Sequence, residues 1–280
     1  MKTRKILTLS GLFFIVLMIS ISLSSCKNSS KEAGKKDTQD ASKIMENEID
    51  KNVTEFVYPL PSAYEVTEIL NKIGIGYMLG MSNSVENVSR YFTAKSKAYN
   101  IGIYATDLSY ASTYKMTQET MLFLEALNQL GSDLGISSIY NEDLLKSIES
   151  NVSDKDSLVE IITITIHETY DYLNKNGKGD LSILMIAGGW VEGMFLTTNV
   201  SETYQNNPEI VKVIYAQKPS LDRLLKISEE KKDNSEIQEL IDDLQPIKKA
   251  FDDVTNENIT DDQISAIAKA VETLRTKLIS

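Results

Sequence analysis

A single cysteine and a single histidine in 280 residues remove several chemistries at once. Cys26 has no partner for an internal disulfide, and His167 alone cannot build a multi-histidine metal centre within one chain. A serine triad would have only His167 as its base, and no local feature marks a serine or Cys26 as its nucleophile. Positive charge is also scarce: 29 basic residues face 40 acidic ones, for a formal charge of −11. Without a basic stripe, neither nucleic acid nor an anionic lipid surface is an expected partner. No motif repeats at a fixed period, so no solenoid is expected, and no paired runs of alternating polarity announce a sheet. At 42% hydrophobic and 25% charged residues the composition is nonetheless globular. The length allows one large domain or two modest ones.

At the N-terminus, Lys2, Arg4 and Lys5 precede an apolar run from Ile6 to Leu23, the pattern of a secretory signal. The run ends in Leu23-Ser24-Ser25-Cys26, two small residues before the sole cysteine. Residues 1–26 resemble the signal and lipobox of bacterial lipoproteins. That resemblance implies a cleaved signal peptide over 1–25, with diacylglycerol on the Cys26 sulfur and usually an acyl chain on its amine. Loss of Lys2, Arg4 and Lys5 with the leader takes the charge from −11 to −14. Each buried methylene contributes about 0.8 kcal/mol, and more than one chain makes a stable anchor. The membrane is then a partner through lipid on Cys26, and the chain does not cross it. Lys27, not aspartate, follows the cysteine. By analogy with Gram-negative sorting this implies the periplasmic face of the outer membrane. Residues 27–53 carry six bases and six acids and no core-forming pattern, so 26–53 reads as a lipidated cysteine and flexible tether.

The body, 54–280, reads as all-α: a multi-helix bundle around a buried apolar central helix. That central stretch is Asp180 to Leu196. Ile183, Leu184, Ala187, Trp190, Val191, Met194 and Phe195 recur at helical spacing, and the other side is hardly more polar. A helix apolar all round belongs in a core or a membrane. Leu181–Leu196 falls short of the about 20 residues that a span needs and carries Glu192, so a core is expected, with Gly188, Gly189 and Gly193 marking close helix packing. Ser62 with Glu65 predicts a helix start, with Val66, Ile69, Leu70, Ile73 and Tyr77 on one face. Ser82-Asn83-Ser84 ends that helix and caps a short one through Phe92. Thr93 opens a long helix to about Lys115, Thr117 caps the next, and Asn141 begins a short one. Asp154 or Ser153 caps a helix reaching Lys175; its Ile161-Ile-Thr-Ile-Thr-Ile166 has β-propensity, but helical spacing and the stop at Gly177 outweigh it. Pro208 suits a first helical position, Pro219 interrupts or restarts that helix, and Ser235 opens another that Pro246 should bend or end. Thr260 with Gln263 is a second capping box. The charged final third predicts an amphipathic layer, so 54–280 is either one domain or a 54–205 core with a 206–280 layer. Tyr58-Pro-Leu-Pro61 and Thr106-Asp-Leu-Ser-Tyr-Ala-Ser-Thr-Tyr114 resemble segments of uncharacterised helical lipoproteins of Bacteroidetes, which implies a lineage and no mechanism.

Candidate chemistry is sparse. His167-Glu168-Thr-Tyr-Asp171 has the outline of a zinc-protease helix, but Asp171 stands at the second ligand position, so His167 reads as an ordinary helix-end residue. Asn174–Asp180 lacks the first carboxylate and closing glutamate of a calcium loop. No catalytic residue, metal ligand or cofactor is therefore assigned. Asp107 and Glu192 stand out as carboxylates in apolar segments. Either they line an internal pocket with Tyr104, Tyr114 and Trp190 for a small cationic or polar ligand, or they form a structural hydrogen-bond pair or pair with Arg90. The expected role is that of an envelope lipoprotein binding an envelope protein or small ligand. The alternative is an envelope hydrolase using Asp107 and Glu192.

Overall fold

The computed structural model describes residues 76–152, 154–203, 207–255 and 258–280. The leader, Cys26, the tether and the helix expected from Ser62 lie outside the described residues. Among those described there are nine α-helices and no strand, so the all-α architecture is observed. A short 3-10 helix, Val85–Arg90, comes first. The α-helices follow as α1 Ala94–Thr113, α2 Thr117–Asp133, α3 Glu142–Asn151, α4 Lys155–Lys175, α5 Gly179–Thr203, α6 Pro208–Ala216, α7 Lys218–Glu229, α8 Ser235–Asp252 and α9 Asp261–Ile279.

Helix α5 contains the apolar stretch and runs longer than that stretch alone. Gly179–Val200 has a mean hydropathy of 1.4 and would by length and composition suffice to cross a membrane, yet 89% of it is buried inside the protein. The length argument against a span therefore falls, while the expectation of a buried core helix holds on direct burial. Its partner is α1, which is buried on nearly every side from Ala98 to Thr113, and the contact between these two helices is the most extensive in the fold. The reason is local. A Cβ on Gly102 would strike the Met185 carbonyl, and one on Gly188 would strike the Tyr99 carbonyl. Only glycine lets the two backbones come this close. The Thr106 hydroxyl binds the junction, donating toward the Gly102 and Gly189 carbonyls, each at 3.2 Å.

Other helices cover this pair. Helix α2 packs on α1, α4 on both α5 and α1, and α3 on α4. Helices α6 and α7 lie against α5, and α8 joins α7 to α9. Helix α9 closes over α5 and α1 with Ile264, Ile267, Val271, Leu274 and Leu278 buried. Each such side chain contributes about 1.5–3 kcal/mol when fully buried, which explains why so charged a sequence folds as a tight cover.

Most helix starts carry the expected side-chain caps. Thr93 pairs with Ser96 and Thr260 with Gln263 in reciprocal capping boxes, and Asn141, Asn207 and Asn234 accept from first-turn amides. Pro208 is in the first turn of α6, and Pro219 is in the first turn of α7 just after the break. Residues 155–175 are helix, not strand.

Ser235 is the first residue of α8, as expected, and Asn234 caps it. Three details differ from expectation. Thr117 is the first residue of α2; Met116 precedes it with no side-chain cap. Pro246 does not end α8, because the buried stripe Leu240, Ile241, Leu244, Ile247 and Phe251 continues through it and outweighs one lost hydrogen bond. Finally, no helix reaches Tyr77 to Met81. Gly80 takes φ +84 there, outside any right-handed helix, and residues 76–84 form an irregular strap along α1.

Placing a methyl group at Gly188 should push α1 from α5. Gly188→Ala is expected to lose about 1–3 kcal/mol, read as a lower urea midpoint. Gly76→Ala, which meets open space, should leave the midpoint unchanged.

Candidate functional site

The strap, α1, α5 and α9 meet around three ionisable side chains. Glu192 points from α5 into full burial. Arg275 of α9 grips it with two hydrogen bonds, Nε to Oε2 at 2.6 Å and a terminal guanidinium nitrogen to Oε1 at 2.8 Å. The same guanidinium nitrogen donates to the Met81 carbonyl of the strap at 3.0 Å, and the guanidinium carbon lies 3.9 Å from the Phe195 ring centre. Such a fork-on-carboxylate pair is the strong geometry for a charge-assisted bond. Removing water from it makes each partner depend on the other.

Asp107 of α1 is also fully buried. Its Oδ2 accepts from the Asn83 backbone amide at 3.0 Å, while no protein donor reaches its Oδ1. Burial raises the Asp107 carboxyl well above the usual carboxylate range, with Glu192 adding to the rise and Arg275 and the Asn83 amide opposing it.

Asn83 links this centre to the ends of the fold. Its amide nitrogen donates to the Tyr91 hydroxyl at 2.9 Å and to Asn100 Oδ1 at 3.1 Å, and its oxygen accepts from Asn87. Asn100 in turn donates to the Leu278 carbonyl at 3.0 Å, near the end of α9. Tyr104 donates to the Ser84 carbonyl at 2.8 Å. Burial raises its phenol above the ordinary value, reinforced by Tyr91, Asp107 and Glu192. The strap is thus fastened at Met81, Asn83 and Ser84 by side chains of α1 and α9.

Of the five residues singled out in the sequence, Asp107, Glu192 and Tyr104 share this centre. Tyr114 belongs to a different cluster, its ring 5.6 Å from Tyr77 and 5.4 Å from Tyr110. In the same cluster burial pushes the Tyr77 phenol up to about 12. Trp190 is buried, and its indole nitrogen meets no protein acceptor. Two residues from Glu192 on a helix, it points to roughly the opposite side of α5. The charge partner of Glu192 is Arg275, not Arg90, which is exposed at the end of the 3-10 helix. Arg275 had a visible signal: it lies four residues after Val271 and three before Leu278, inside the apolar stripe of α9. Asn83 had none, since a polar residue in an irregular segment is unremarkable.

Among the described residues no cluster of histidine, cysteine or acidic side chains could hold a metal ion. His167 is partly exposed and 3.9 Å from Asp171 on the next turn. On the outer side of α2, Gln118, Met121, Leu122, Glu125, Asn128 and Gln129 line, with Leu145 of α3, a groove of about 620 Å³. No protein-family model, curated protein or solved structure matches the chain.

Breaking one side of the buried pair should cost more than removing both. Arg275→Met is expected to destabilise by about 3–5 kcal/mol, whereas Arg275→Met with Glu192→Leu should recover much of that loss. Urea unfolding of both variants decides it; a double variant less stable than the single would overturn the assignment.

Proposed function

We propose that the protein is a lipid-anchored lipoprotein of the bacterial cell envelope whose helical body binds an envelope protein or a small ligand. The observation that carries the anchor is the coincidence at Leu23-Ser24-Ser25-Cys26 of a basic start, an apolar run, two small residues and the chain's sole cysteine. The periplasmic face of the outer membrane is the proposed location, on the strength of Lys27. Two features support binding over hydrolysis. Asp107, Glu192 and Tyr104 are all without solvent exposure, whereas a general acid or base must reach its substrate directly or through one water. The α2 groove, with Leu122 39% exposed, supplies a concave and partly apolar surface of the kind that binding uses.

Cells fed a clickable fatty acid should label the wild-type protein and leave Cys26→Ser unlabelled and soluble. Wild-type protein without label, or Cys26→Ser still in the membrane fraction, would exclude the anchor. Photo-crosslinking from Leu122 in the native envelope, with Ile164 on α4 as the comparison site, tests the groove. A discrete adduct from Leu122 alone supports binding there, and equal patterns from both sites exclude it.

A further inference from the structure

Helix α3 takes its packing from α4 rather than from α2, and the groove of about 620 Å³ opens between the outer sides of α2 and α3. We propose that this groove docks a basic amphipathic helix of a partner protein. The partner's apolar stripe lies on Met121, Leu122 and Leu145, and its cations stand against Glu125, Glu142 and Glu149. This partner class rests on the binding role proposed above.

The floor of the groove follows from the pattern of α2. Thr120, Phe123, Leu124, Leu127 and Leu130 take the inward face. Met121, Leu122, Glu125 and Gln129 recur at steps of three and four on the other. Two large apolar side chains thus occupy the side on which an amphipathic surface helix carries polar ones. Leu145 approaches them from α3. From Gln118 to Gln129 the floor runs eleven residue steps, about 17 Å at the helical rise and so about three turns. No strand edge among the described residues is available for a peptide to extend. A groove of this length between helices instead takes a helix by its apolar stripe, and Met121 can adapt its shape to the side chains that arrive.

Charge defines the rest of the partner. Helix α2 contains Glu119, Glu125 and Asp133 and no base. In α3, Glu142, Asp143 and Glu149 outnumber the single base, Lys146. Glu142 lies three residues before Leu145 and Glu149 four after it, so both stand on the side of α3 that meets the groove. Lys146 is 3.4 Å from Glu142, but both side chains are exposed, and such a pair contributes little in water. The field over the groove is therefore negative. It attracts lysine or arginine beside an apolar stripe and repels an acidic segment or an anionic lipid surface. Complementary charge sets encounter rate and choice of partner, while the apolar floor holds the complex.

The test uses the full chain in neutral detergent, with a photo-crosslinker at Gln129 on the rim of the groove. The probe is a short leucine–lysine peptide that winds with leucine on one face and lysine on the other. One control peptide has glutamate for lysine, and another has the same residues reordered so that no apolar stripe forms. The amphipathic basic peptide should give an adduct, and both controls about tenfold less. Leu122→Gln should cut the yield about tenfold, whereas Ile164→Gln on α4 should leave it unchanged. Glu125→Lys with Glu142→Lys should lower the yield and abolish its dependence on salt. All these positions are exposed, and urea midpoints equal to wild type check that the variants fold. Equal yields from the amphipathic and reordered peptides, a yield indifferent to Leu122→Gln, or a preference for the glutamate peptide overturns the proposal. A partner captured from Leu122 in the native envelope, with no peptide adduct, would leave the binding role standing and overturn this partner class. Loss of both would overturn both.

Discussion

The close approach of α1 and α5 sets the terms for everything around it. Because Gly102, Gly188 and Gly189 let two backbones touch, the pair behaves as one thick element, with Thr106 bonded to both chains. An element this apolar cannot be left open to water, and other helices among the described residues cover it. The covering helices need only one greasy side, which is why the last third of the chain can be so charged. Intimacy at the centre thus explains both the composition gradient along the chain and the order of layers.

That same intimacy creates the polar problem that the candidate site solves. Side chains of α1 and α5 next to the junction have no route to solvent, so the carboxyls at 107 and 192 must be satisfied internally. Arg275 answers for Glu192, and the strap answers for one oxygen of Asp107. An apolar replacement of similar volume would often be as stable. Keeping charged groups there specifies which face of α9 turns inward and where the strap sits. This is a registry role, and it accounts for the buried carboxyls without requiring any substrate.

Much of this was legible in local chemistry. Thr93, Asn141, Pro208 and the Thr260–Gln263 box announce helix starts through contacts within one turn, and the structure places starts there. The all-round apolarity of Ile183 to Phe195 reports its environment directly. What stayed hidden depends on tertiary partners. Pro246 is tolerated because neighbours bury the residues on either side of it. Asp107 and Glu192 were visible as anomalies, but Arg275 stands 83 positions from Glu192, and no spacing rule reaches that far. Asn83 gains its importance only once Tyr91, Asn100 and Asp107 surround it.

The threads that sew the strap down have a kinetic meaning. Met81 and Arg275 are 194 positions apart, and Tyr91 reaches Ile279 across 188. Helices α1 to α8 can all be synthesised and wound before the last fastener exists. Until then Glu192 is a bare charge inside a half-built interior, and the chain pays a loop-closure entropy that early contacts do not offset. The strap is therefore secured only by closing the two longest loops in its fastening, and its last fasteners exist only once α9 is in place.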